Sequence, residues 1–207
     1  MPLQTKIHTA FHGKLFLRPL FYSYPNGLRF ELSENGSFID MFLCAMQKAQ
    51  VIIRDIFPDE SKITVCLRFW SSGSRAEFKR IAKELNSLEL KVPTQREIWA
   101  ELNDDRDYDD EDGESYWINI AFHANPDQLS KLLWCALAVD LGSIRPKLGC
   151  LVYFINLESE LAAFPYDDRG MDVIGNSLEK LLFLYQKHNN YLLDHDREQM
   201  CDQFKNL

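Results

Sequence analysis

The sequence is poor in the features that announce chemistry. Its five cysteines, Cys44, Cys66, Cys135, Cys150 and Cys201, are odd in number, widely spaced and include no C-x-x-C pair. That pattern argues against a structural zinc or a disulfide framework and leaves small buried hydrophobes as their expected role. No G-x-G-x-x-G, G-x-x-x-x-G-K, G-x-S-x-G or H-E-x-x-H occurs, so dinucleotide, P-loop, hydrolase-elbow and zinc-peptidase readings have no foothold and no cofactor is expected. Apolar runs stay short of the roughly 18 residues that cross a bilayer. The opening MPLQTKIHTAFHGK lacks the order of a secretion signal, and a cytoplasmic protein without a membrane partner is expected.

Basic excess is missing too. The 207 residues hold 31 acids against 23 bases, a formal net charge of −8, and nine of those acids with a single base lie in ELNDDRDYDDEDGE, Glu101 to Glu114. Without that stretch the chain has 22 of each. Polyanions are bound by neutralising phosphates, so no nucleic-acid partner is expected. The run does not spell a calcium loop: with Gly113 as the turn glycine, Tyr108 falls at the first ligand position and Asn119 where the bidentate glutamate belongs. It reads either as a solvated acidic loop over 101–115 or as a surface for a basic protein partner. In the second case Asp104, Asp105, Asp107, Asp109, Asp110, Glu111, Asp112 and Glu114 are the partner-binding residues.

What is present is a rich apolar pattern, 46% hydrophobic with 13% aromatics, ample for one domain over 1–207. Leu28, Phe30 and Leu32 alternate with Arg29 and Glu31, which predicts a strand with one wet or ion-paired face. Ser37 precedes apolar residues at spacings of three and four as far as Ile56, the pattern of a long amphipathic helix. Lys62 to Trp70 reads as an interior strand, and Ser74 with Glu77 as the capped start of a helix. By the same capping logic Thr94 with Glu97 predicts a short helix holding Ile98, Trp99 and Leu102. Strands over Tyr116 to Ala124 and Gly149 to Leu157, a helix after Asn125-Pro126, two short strands near Leu161 to Ile174 and two closing helices complete the chain. The mixture implies an α+β fold, a mixed or largely antiparallel sheet with helices packed on it.

The charged interruption FPYDDRGMDVIG, Phe164 to Gly175, has two readings. In one, Tyr166, Asp167, Asp168, Arg169, Gly170 and Asp172 form a structural hairpin motif. Gly170 then takes a positive φ, an aspartate accepts turn N–H groups, and Arg169 pairs with Asp167 or Asp172. Asp168→Ala would then break a buried network at about 1–3 kcal/mol. In the other, Asp167, Asp168 and Asp172 converge with Asp194, His195 or Asp196 on a hard metal ion, as in a metal-dependent hydrolase.

Four stretches, LFYSYPNGLRFEL, QVIIRDIFPDESKI, AFPYDDRGMDVIG and NNYLLDHDRE, carry a family resemblance. Through them the chain resembles the bacterial domain of unknown function family 3885. The resemblance implies motif positions at Tyr166, Asp167, Asp168, Arg169, Gly170 and Asp172, with Asp194, Asp196 and Arg197 at the last helix entry. It brings no activity with it. The expected function is therefore a binding protein, most concretely an immunity protein neutralising a toxin such as a basic nuclease, with a hydrolase or a structural and regulatory module as alternatives.

Overall fold

Alternating apolar residues build the strands, and their pairing makes one antiparallel sheet. In the computed structural model, residues 1–58, 62–103, 115–142 and 144–205 are described. The strands are β1 (Leu28–Glu31), β2 (Ile63–Ser71), β3 (Arg96–Leu102), β4 (Tyr116–Ala124), β5 (Leu151–Asn156), β6 (Leu161–Asp167) and β7 (Gly170–Gly175). They lie in the order β1-β7-β6-β5-β2-β4-β3, every neighbouring pair antiparallel. The fold is α+β. The long β2 is interior, between β5 and β4, which accounts for apolar residues on both of its faces.

Both faces of the sheet are covered. On one, α2 (Phe38–Ile56), α3 (Arg75–Ser87), α4 (Leu129–Leu137), α5 (Leu178–Lys187) and α6 (Arg197–Phe204) pack against residues such as Phe30, Val65, Leu67, Phe154 and Val173. On the other, α1 (Leu3–Ala10) and the segment after it bury Ile7, Phe11, Leu15 and Leu20 against Cys66, Tyr153, Ile155 and Ile174. Ser37 caps α2 through a reciprocal capping box with Asp40. Among the described residues no helix is long and apolar enough to cross a membrane. Cys66, Cys135 and Cys150 are buried thiols, and burial raises the pKa of each.

Two local expectations fail for identifiable reasons. Arg96–Leu102 is a strand, not a helix. Its residues pair one by one with β4, and the two-residue period wins because Trp99 is buried on one face while Ile98 and Leu102 lie on the other. Ser74 accepts from the Ala76 N–H as a cap, but Glu77 turns back to Ser71 and Ser72 instead of completing a box. Those bonds hold the Glu77 carboxyl below its ordinary pKa.

Candidate functional site

β6 and β7 form a hairpin whose turn is Asp168-Arg169, closed by the Asp167–Gly170 pair with a bulge between Pro165 and Asp167. Asp167 is buried and organises the turn. Its Oδ1 accepts the Arg169 backbone N–H at 2.8 Å, and its Oδ2 accepts from the Arg169 Nε at 2.9 Å. The exposed Arg169 guanidinium also reaches Asp140 at 3.6 Å, and these carboxylates raise its pKa, Asp167 foremost. Gly170 does not take a positive φ. It is glycine because of a close approach: a Cβ there would lie 1.9 Å from the Tyr166 hydroxyl and 3.0 Å from the Phe30 carbonyl.

Asp172 belongs to a different cluster. β1 sets Arg29 directly opposite Asp172, and the guanidinium grips that carboxylate with two hydrogen bonds, Nε to Oδ1 at 2.8 Å and Nη2 to Oδ2 at 3.1 Å. Its Nη1 donates to Asp196 at 3.1 Å. Further donors reach both carboxylates: the Phe21 N–H donates to Asp172 at 3.0 Å and the Tyr22 hydroxyl to Asp196 at 2.7 Å. Phe21, Tyr22 and Tyr166 present their rings to the guanidinium at 5.0, 4.9 and 6.0 Å. Burial pulls the Arg29 pKa down, but hydrogen bonding and charge from Asp172 outweigh it and the net shift is upward. Sequence reasoning did not find Arg29 as the partner. The available signal was a lone arginine inside the apolar alternation Leu28, Phe30, Leu32.

Asp168 joins neither cluster. It is 4% exposed, its Oδ2 has no hydrogen-bond partner, and burial with the neighbouring Asp167 raises its pKa. Asp194 is exposed and pairs with Arg197 at 2.8 Å, and His195 is exposed beside it. The five acids therefore do not converge: Asp172 and Asp196 share Arg29, Asp167 holds Arg169, Asp194 pairs with Arg197, and Asp168 stands apart. Among the described residues no three His, Cys, Asp or Glu side chains converge as a metal site. His8 and His12 stand four apart, but His12 follows α1 with a φ of +52°, outside helical geometry, while His8 faces Glu101 at 3.6 Å.

A pocket of about 510 Å³ adjoins the Arg29 cluster, lined by Arg18, Pro19, Leu20, Arg29, Phe164, Tyr166 and Asp172. Its walls offer rings and a guanidinium, Arg18, which lies 5.5 Å above the Trp117 ring. The carboxylate among them, Asp172, is held by the Arg29 guanidinium and the Phe21 N–H, which disfavours it as a general base. Burial, with the Asp172 charge, pushes the Tyr166 phenol up and keeps it protonated.

The acidic run has described flanks only. Asp104, Asp105, Asp107, Asp109, Asp110, Glu111, Asp112 and Glu114 lie outside the described residues. Asn103 and Ser115, on either side, close the β3–β4 hairpin through an N–H to carbonyl bond of 2.9 Å and an Asn103 to Ser115 side-chain bond of 3.1 Å. Glu101, the first acid of the run, sits within β3. It accepts from buried Arg68 at 2.7 Å and from the Trp99 indole at 2.8 Å. Arg68 also donates to buried Asn119 at 2.8 Å, with Phe16 and Trp117 stacked over it.

A family model described as Domain of unknown function (DUF3885) matches residues 3–196. The chain belongs to the DUF3885 family. The match takes in the sheet, the Arg29–Asp172–Asp196 cluster and the β6–β7 turn, and stops at Asp196, ahead of α6. No curated protein and no solved structure matches this DUF3885 chain.

Proposed function

We propose that this DUF3885 protein is a cytoplasmic bacterial binding protein, an immunity protein that neutralises a cognate basic toxin, such as a nuclease, by stoichiometric binding. The observation that carries the reading is that several acids of the described residues hold cations while the sequence gathers its whole charge excess in one segment. Asp172 and Asp196 share Arg29, Asp167 holds Arg169, and Glu101 holds Arg68. Asp104 to Glu114 adds eight acids and one base in eleven residues, spliced between the two ends of a closed hairpin. A concentrated negative field of that kind speeds encounter with a basic protein and competes for a groove shaped for phosphates.

The reading is tested by replacing the eight acids from Asp104 to Glu114 with Asn or Gln and co-expressing either form with the product of the adjacent gene. The native chain is expected to rescue growth and to bind with an affinity that falls as salt rises. The neutralised chain should bind at least about tenfold more weakly, with a flattened salt dependence. Equal affinity and an equal salt slope for the two forms would remove this segment from function.

A further inference from the structure

β3 closes one edge of the sheet, and among the described residues no strand pairs with its outer side. The ladder tells which groups face outward. Asn103 donates its N–H to the Ser115 carbonyl, and in an antiparallel pair such bonded positions recur at every second residue. Glu101, Trp99 and Glu97 therefore bond inward to Trp117, Asn119 and Ala121. The N–H and carbonyl groups of Ile98, Ala100 and Leu102 point away from β4.

The same three residues turn exposed side chains to the α3 side of the sheet, with Ile98 49% and Leu102 54% accessible. Ile98 borders an apolar groove of about 640 Å³ between α3 and β3, with Phe69, Phe78 and Ile120 among its walls. Edge strands are ordinarily guarded by charged side chains, lysine above all, by proline, a bulge or a covering segment. β3 carries Arg96 at its start and Glu97 and Glu101 on the α1 side, but no lysine and no proline, its register with β4 is unbroken, and the stretch from Ile98 to Ala100 holds no charge.

Charge selects the occupant. A second copy pairing antiparallel along this edge would bring Glu97 of both strands onto one face with no added cation there, an unfavourable like-charge arrangement, since the Glu101 on that face is already held by its own Arg68. Glu97 accepts the Gln4 N–H at 3.0 Å and has no cationic partner among the described residues. We propose that β3 is the docking edge for an extended segment of another protein that alternates apolar residues with Lys or Arg, adding to the sheet beyond β3. Its apolar side chains lie over Ile98, Leu102 and the groove, and its cations meet Glu97, while Glu101 keeps its bond to Arg68. For its charge this deepens the reading of a basic partner; its geometry stands on the strand edge alone.

The test uses two synthetic peptides of equal composition and about the length of β3, one alternating lysine and valine, the other with the two residue types segregated, titrated calorimetrically into the full chain. The alternating peptide is expected to bind at least about tenfold more tightly. Ala100→Pro removes an outward N–H while leaving the inward ladder intact, and should weaken that peptide at least about tenfold. Should circular dichroism show this variant unfolded, Leu102→Lys, at an exposed position, serves in its place and is expected to repel the peptide equally. Equal binding of both peptides, or binding unaffected by the β3 variants, overturns edge docking. If neutralising Asp104 to Glu114 nevertheless abolishes binding in that case, the basic-partner reading survives and only the edge is lost. No binding of either peptide overturns the proposal outright.

Discussion

The two edges of the sheet show the same backbone problem solved at one end and left open at the other. At β1 the outward residues are Arg29 and Glu31, since Leu32 bonds inward to the Arg169 carbonyl. The Glu31 carbonyl accepts from Lys48 at 3.3 Å, the Arg29 carbonyl accepts the Leu193 N–H at 2.9 Å, the Arg29 N–H faces the Met200 sulfur at 3.3 Å, and Phe30 bridges to Leu192. The Arg29 charge meets Asp172 and Asp196. At β3 the outward groups of Ile98, Ala100 and Leu102 meet nothing comparable among the described residues, and the side chains beside them are apolar and exposed. Edge geometry alone does not distinguish the ends; a C-terminal segment covers one of them. Covering an edge removes a site for strand addition, and an uncovered apolar edge offers one.

The largest expected effect tests what holds the covered edge. Arg29→Met keeps an apolar stem but leaves two carboxylates, 2% and 5% exposed, without their cation. Breaking a buried pair in this way costs about 3–5 kcal/mol, measured by urea unfolding. The same change at Arg68 should cost less, because its partner Glu101 is 29% exposed and remains partly hydrated. If the two variants were equally stable, the covered edge would owe nothing special to its ion cluster.

Much of this architecture is legible in the residues and some is not. β1, β2, β4 and α2 follow from alternation, continuous apolar runs and the Ser37 cap, because those signals are local. β3 is not legible. Thr94 and Glu97 imitate a capping box, and Ile98, Trp99 and Leu102 satisfy helical spacing as well as strand spacing, so pairing with β4 decides. The aspartates of the turn are visible as a group, yet their division is not. Arg29 and Asp172 stand 143 positions apart, and only the β1–β7 register makes them neighbours. Gly170 misleads in another way, since a glycine needed for close approach looks in sequence like one needed for positive φ.

A smaller effect compares the edges directly, by proline. At Leu193 the φ of −62° already suits proline, and Leu192 before it is extended at ψ 135°. Leu193→Pro therefore isolates the lost N–H to the Arg29 carbonyl and should cost about 1–3 kcal/mol. Ala100→Pro removes an outward-facing N–H at the open edge, where proline is tolerated, and its cost to stability should be less than half as large. Matched chemical-denaturation curves decide it. Equal losses would mean that β3 is covered as β1 is.

The smallest effect concerns Asp168, whose buried Oδ2 has no hydrogen-bond partner among the described residues. The roughly 1–3 kcal/mol expected for Asp168→Ala therefore moves to Asp167 and Asp172, whose oxygens hold side-chain ion pairs. Burial first and the neighbouring Asp167 second raise the pKa of the Asp168 carboxyl above the ordinary value. The protonated form is then the one the fold favours. Its contribution is present below the unfolded-state value and is lost as pH climbs through the raised folded-state value. Asp168→Asn removes the ionisation, so the variant should be more stable than the native chain at neutral pH by less than about 1 kcal/mol, with the advantage shrinking to nothing in acid. Thermal unfolding across that range reads the difference. A variant destabilised equally at every pH would show instead that the carboxyl is held by contacts that Asn cannot replace.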